Sequence, residues 1–114
     1  IETHDSTCRR VANKSRCQVI SIDYRLAPEH PFPAPVDDAL AAFRHIKDNA
    51  AAFDTSADRI AVGGDSAGGN LAAVVCQLAK KAGEAMPAFQ MLIYPATDSA
   101  GHADSRRAKG EGYF

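Results

Sequence analysis

Residues 59–83 read RIAVGGDSAGGNLAAVVCQLAKKAG, and this stretch decides the fold. Residues 59–63 (RIAVG) form a short apolar run that predicts a buried strand. Residues 64–69 form a tight turn, and residues 71–82 predict a helix rich in Ala and Val, closed by Gly83 in the C′ position. Inside the turn, Gly64, Asp65, Ser66, Ala67 and Gly68 spell G-x-S-x-G. A turn this sharp between strand and helix strains the Ser66 backbone. Side chains two residues to either side would clash, so glycine is expected at 64 and 68. The turn lifts the Ser66 hydroxyl clear of the sheet edge. The helix start behind it offers free backbone N–H groups and partial positive charge. The N–H of Ala67 then points where an oxyanion would form during acyl transfer.

Working outward, residues 89–94 (FQMLIY) predict another buried strand, stopped by Pro95. Upstream, residues 18–23 (QVISID) are apolar and β-branched and suit a strand buried on both faces. Pro28, Pro31, Pro33 and Pro35 exclude regular structure from about 25 to 34 and make an ordered loop. Pro35 stands at the first helical position with Asp37 and Asp38 in the first turn. Val36, Leu40, Phe43 and Ile46 give that helix one apolar stripe to about Asp48. Residues 5–14 read as a helix from Cys8, Val11 and Ala12, with Asp5 at its start. Helices alternating with doubly buried strands predict the α/β class, a parallel sheet with helices on both faces.

The 114 residues carry 13 Lys plus Arg and 14 Asp plus Glu, a formal net charge of -1, which excludes a strongly basic nucleic-acid binder. Hydrophobic residues at 46% and charged residues at 24% are ordinary globular values and argue against a disordered acidic tail. The longest apolar run, residues 71–76, is far short of a membrane span of roughly 18 residues. Cys8, Cys17 and Cys76 form no CxxC and cannot all pair, so a disulfide framework or zinc site is not expected and a reducing, cytoplasmic compartment is. The chain starts at Ile1 without Met or a signal-peptide pattern and stops on Gly112, Tyr113 and Phe114. The expectation is an internal piece, residues 1–114 being the central part of one domain.

Other readings of the turn fit less well. A dinucleotide loop needs G-x-G-x-x-G, and Ser66 stands where its second glycine belongs. A P-loop needs Gly-Lys-Ser/Thr, which the chain lacks. A helix that merely opens on a serine cap among small residues is the plain alternative.

The decamer GGDSAGGNLA at 63–72 and the run DYRLAPEHPFPAPVDDAL at 23–40 resemble the bacterial hormone-sensitive-lipase-like esterases of the α/β-hydrolase fold. LIYPATD at 92–98 and THDSTCRRVA at 3–12 resemble further stretches of the same branch, in the same order and spacing. The resemblance implies that Ser66 is the nucleophile, that the Ala67 N–H is one oxyanion donor, and that Asp65 hydrogen-bonds and orients the turn. It implies that the loop from Tyr24 to Ala34 is scaffold, with Arg25 and Glu29 paired inside it. The family's HGGG loop, which completes the oxyanion hole, and its triad acid and His fall outside this chain. The strand before that loop separates the segments at 18–23 and 59–63 in the family. Residues 59–63 should therefore pair only with 89–94.

The implied activity is that of a serine carboxylesterase acting on short-chain acyl esters. It would need no metal or organic cofactor, and its partner would be a small-molecule ester rather than nucleic acid or a membrane interior. Two readings of other classes compete: a non-catalytic ligand-binding protein on the same fold, and an α/β module with a fortuitous serine turn. His102 and Asp98 lie after Ser66 in the order acid then His, but a triad requires groups converging from separate loops. His30 reads as a loop histidine, and His4 and His45 as solvated. Cys76 reads as a small buried hydrophobe. Arg106, Arg107 and Lys109 read as a solvated basic face.

Overall fold

In the computed structural model, which describes residues 2–98, the chain divides into two units, residues 1–60 and 61–114. Within the first, a 3₁₀ turn (Glu2–His4) leads into α1 (Asp5–Ser15). Asp5 sits in its first turn and binds Arg9 Nε one turn on at 2.8 Å. Ser15 Oγ donates to the Val11 carbonyl at 2.7 Å, and Arg16 ends the helix at φ 56°.

Residues 18–23 are not a strand. Val19 and Ile20 are exposed (37% and 40%) where double burial was expected. An apolar segment becomes a strand only when a neighbour completes its ladder hydrogen bonds, and none among the described residues does. The expected Arg25–Glu29 pair also gives way to another. The Arg25 guanidinium reaches forward to Asp38, with Nη2 to Oδ1 at 2.7 Å and Nε to Oδ2 at 2.9 Å. The Arg25 backbone N–H donates to the same carboxylate at 2.9 Å. A bidentate fork plus a main-chain donor outcompetes a single local partner. These hydrogen bonds hold the Asp38 carboxyl well below its ordinary value, at about 2.

Asp38 belongs to α2 (Ala34–Asp48), which opens on Ala34 with Pro35 in its first turn. Phe43 is its buried anchor (5% exposed), while Val36, Leu40 and Ile46 are half-buried. Two 3₁₀ turns follow, Ala50–Phe53 and Ala57–Arg59.

Among the described residues, the second unit holds a parallel strand–helix–strand motif: β1 (Ala61–Asp65), α3 (Ser66–Lys81) and β2 (Phe89–Ile93). β1 starts and stops two residues later than expected, while β2 starts at Phe89 as expected and stops one residue early; the strands pair in register from Ala61 opposite Phe89 to Asp65 opposite Ile93. The helix begins at Ser66, five residues before its expected start, so strand passes into helix with no turn residue between. Its buried stripe is Gly69, Ala72, Val75 and Ala79, small residues that let it lie close on both strands. Its end is as expected: Gly83 at φ 69° donates to Lys80 O at 3.1 Å and Glu84 N–H to Ala79 O at 2.9 Å, a Schellman motif. Burial is less than expected in both strands: every residue of β1 is exposed or half-buried. Phe89 is 65% exposed and Tyr94 73%, because β2 has a strand on one side and α3 on one face within this unit. Cys76 is half-buried, lining a groove with Met86, Gln90 and Leu92.

Candidate active site

Ser66 is the first residue of α3, directly after the last residue of β1, and its φ is 49°. A positive φ is uncommon for a residue with a Cβ and costs of order 1–3 kcal/mol unless its surroundings hold it. Ser66 and Ala67 are both exposed at this junction. Ala67 lies in the first turn of a 16-residue helix, where backbone N–H groups have no partner inside the helix. An acyl oxygen brought to the Ser66 hydroxyl would meet the positive end of α3.

The two motif glycines prove unequal. A Cβ on Gly64 would lie 2.4 Å from the Gly68 carbonyl carbon and 2.5 Å from its oxygen, so no side chain fits there. A Cβ on Gly68 would meet nothing within 4 Å. The expectation that both glycines avoid a clash of their own therefore holds for Gly64 alone. Gly68 matters for where its backbone passes.

Two glycines outside the motif reading matter more than expected. A Cβ on Gly69 would lie 3.0 Å from Pro95 Cβ and 3.1 Å from the Gly64 carbonyl oxygen. One on Gly63 would lie 3.1 Å from Met91 Cβ. Their signal was only the extra glycine on each side of the pentapeptide, GG-D-S-A-GG.

Asp65 precedes Ser66 and makes no side-chain cap to α3. Its carboxylate accepts from the Tyr94 hydroxyl at 3.4 Å, across the ends of the two strands. Tyr94 itself leaves β2 at φ 35°, so both strands exit through a positive φ just past the same register pair, Asp65 and Ile93. Beyond Tyr94 the chain stays close to the junction: the Ala96 N–H donates to the Ser66 carbonyl at 3.0 Å. The Asn70 side-chain amide donates to the Ala96 carbonyl at 2.7 Å.

Residues 61–98 contain no histidine. His102, Arg106, Arg107 and Lys109 lie outside the described residues. His30 is exposed, and His45 is exposed with its ring edge-on to Phe53 at 6.4 Å. Among the described residues no group of His, Cys, Asp and Glu could hold a metal ion. No helix among them is long and apolar enough to cross a membrane. The three cysteines are free.

A family model described as the alpha/beta hydrolase fold matches residues 1–114. The carboxylic ester hydrolase LipN of Mycobacterium tuberculosis is 51% identical over 119 residues, covering 100% of this chain and 32% of LipN. An ester hydrolase from the metagenome of Lake Arreo, solved in complex with a derivative of bipyridine phosphonate, is 75% identical with a TM-score of 0.95. That match covers 100% of this chain and 36% of the solved one. A hyperthermophilic esterase from the archaeon Pyrobaculum calidifontis is 50% identical with a TM-score of 0.91, covering 97% of this chain and 36% of that one. The chain thus spans about a third of the length of the relatives it matches. With a strand running straight into a helix at Ser66 and relatives that are ester hydrolases, the chain belongs to the α/β hydrolase fold family.

Proposed function

We propose that the protein is a serine carboxylesterase that hydrolyses short-chain acyl esters through an acyl-enzyme on Ser66. The observation that carries the reading is the β1–α3 junction. Ser66 is held at φ 49° and exposed, with the Gly68 backbone so close that residue 64 must lack a Cβ. In this reading a histidine outside residues 61–98 takes the Ser66 proton as the oxygen attacks the ester carbonyl. The Ala67 N–H receives the tetrahedral oxyanion, together with donors from another loop. The alcohol departs with the proton, and water activated by the same imidazole then releases the acid. Hydroxyl, imidazole and main-chain N–H carry every step, so the mechanism calls for no metal or organic cofactor. Residues 1–114 serve as the central part of a single hydrolase domain. A cytoplasmic location and a small-molecule ester as partner belong to the same reading.

Two similarities support it. The relatives are named as ester hydrolases. One of them binds a phosphonate derivative, and tetrahedral phosphorus resembles the intermediate of ester cleavage. The test uses the whole protein. It should turn over p-nitrophenyl esters of short acids faster than long ones and take up a fluorophosphonate probe on Ser66. Ser66→Ala should abolish labelling and lower kcat by about 10⁶, as where triads have been dissected. Turnover that survives Ser66→Ala would end the serine reading. Ligand binding without turnover in the unaltered protein would favour a non-catalytic role.

A further inference from the structure

The segment 94–96 leaves β2 and crosses back over the start of α3, where three contacts fix it. The Ala96 N–H holds the Ser66 carbonyl at 3.0 Å. The part-buried Asn70 amide holds the Ala96 carbonyl at 2.7 Å. Pro95 packs so tightly on Gly69 that a Cβ there would come within 3.0 Å. Ser66 and Asn70 are one turn apart on α3, so the two hydrogen bonds close a ring through Ala96 and that single turn. The ring passes through the one residue of α3 whose φ is positive without being glycine. Strained backbone persists only where its surroundings over-determine it.

We propose that Asn70 is a positioning residue for the Ser66 nucleophile. It fixes Ala96, and through the Ala96 N–H it fixes the Ser66 peptide, so that the hydroxyl keeps its attack direction. The inference rests on the reading of Ser66 as nucleophile. Asparagine suits the task because its amide brings two donors to a carbonyl, whereas a carboxylate of the same shape brings none when ionised.

The molecule contains its own control. Gln90 Nε2 donates to the Ala72 carbonyl at 3.3 Å, a part-buried side-chain tie from β2 to α3 that lies away from the junction. In the whole protein, Asn70→Ala and the isosteric Asn70→Asp should each lower kcat about tenfold, since small misplacements at a reacting centre are amplified. KM should stay within about twofold, and the rate of Ser66 labelling by a fluorophosphonate should fall by the same factor as kcat. Gln90→Ala should leave both rates within about twofold while lowering Tm. The proposal is overturned if the Asn70 variants lose Tm but keep kcat, if Gln90→Ala loses kcat equally, or if Asn70→Asp fails to fold. Ser66→Ala in the same assays separates the two ideas. If it retains turnover, the nucleophile reading fails, whatever Asn70 does.

Discussion

Gly64 and Gly68 are written alike in the motif, yet only one lacks room for a methyl group. Gly64→Ala must push its Cβ into the Gly68 carbonyl carbon at 2.4 Å, backbone against backbone, with no flexible side chain to yield. Overpacking of this kind typically costs about 1–3 kcal/mol, and here it also displaces the junction. Gly68→Ala meets open space inside a helix, where Ala is favoured over Gly by about 0.5–1 kcal/mol. Denaturant midpoints of the two variants in the whole protein should move in opposite directions. Equal losses would mean that the close approach at Gly64 is not what the motif protects.

The loop before α2 is tied at its start, and the tie has a pH signature. The Asp38 carboxyl titrates at about 2 instead of 3.8, first because of the Arg25 side-chain hydrogen bonds and then the Arg25 N–H. A lowered folded value means the contribution is complete above the ordinary value and is lost as pH falls through about 2. The Asp38 carboxyl resonance should therefore titrate near 2 by NMR. In Asp38→Asn, exchange of the Arg25 amide should quicken at neutral pH. A midpoint at 3.8 would show that the fork does not persist in solution. This tie was missed from sequence because Arg25 and Asp38 are thirteen residues apart, while Glu29 is four. Only the fold of the loop decides between them. The elements that were legible are those with local signals: α1 from its acidic start, α2 from its proline and stripe, α3 from its Gly83 end, and β1 and β2 from their short apolar runs. Residues 18–23 carried a strand composition but need a partner that composition cannot name. The same limit hid Gly69 and Gly63, whose need for glycine is set by Pro95 and Met91 on β2 and its exit.

At the scale of the whole molecule, large apolar side chains face solvent: Phe32 at 82%, Tyr94 at 73%, Phe89 at 65% and Leu26 at 60%. Exposed apolar surface of this kind favours association, and so do the open edges of the two strands paired among the described residues. Residues 1–114 expressed alone should self-associate in size-exclusion chromatography. They should also show no turnover of p-nitrophenyl esters above background, since a serine hydroxyl without an oriented base is a weak nucleophile. Turnover by that piece, abolished by Ser66→Ala, would mean that a histidine within it, such as His102, serves as base. The Schellman end of α3 has a separate consequence for anyone wishing to watch this protein. The helix has 16 residues and is about 24 Å long, with Ser66 at one end and Gly83 just past the other. The Glu84 and Gly83 bonds close off the helix before the chain turns towards β2. A reporter peptide or dye spliced between Ala85 and Met86 would thus sit a full helix length from Ser66, on the far side of a finished cap, and leave the nucleophile undisturbed.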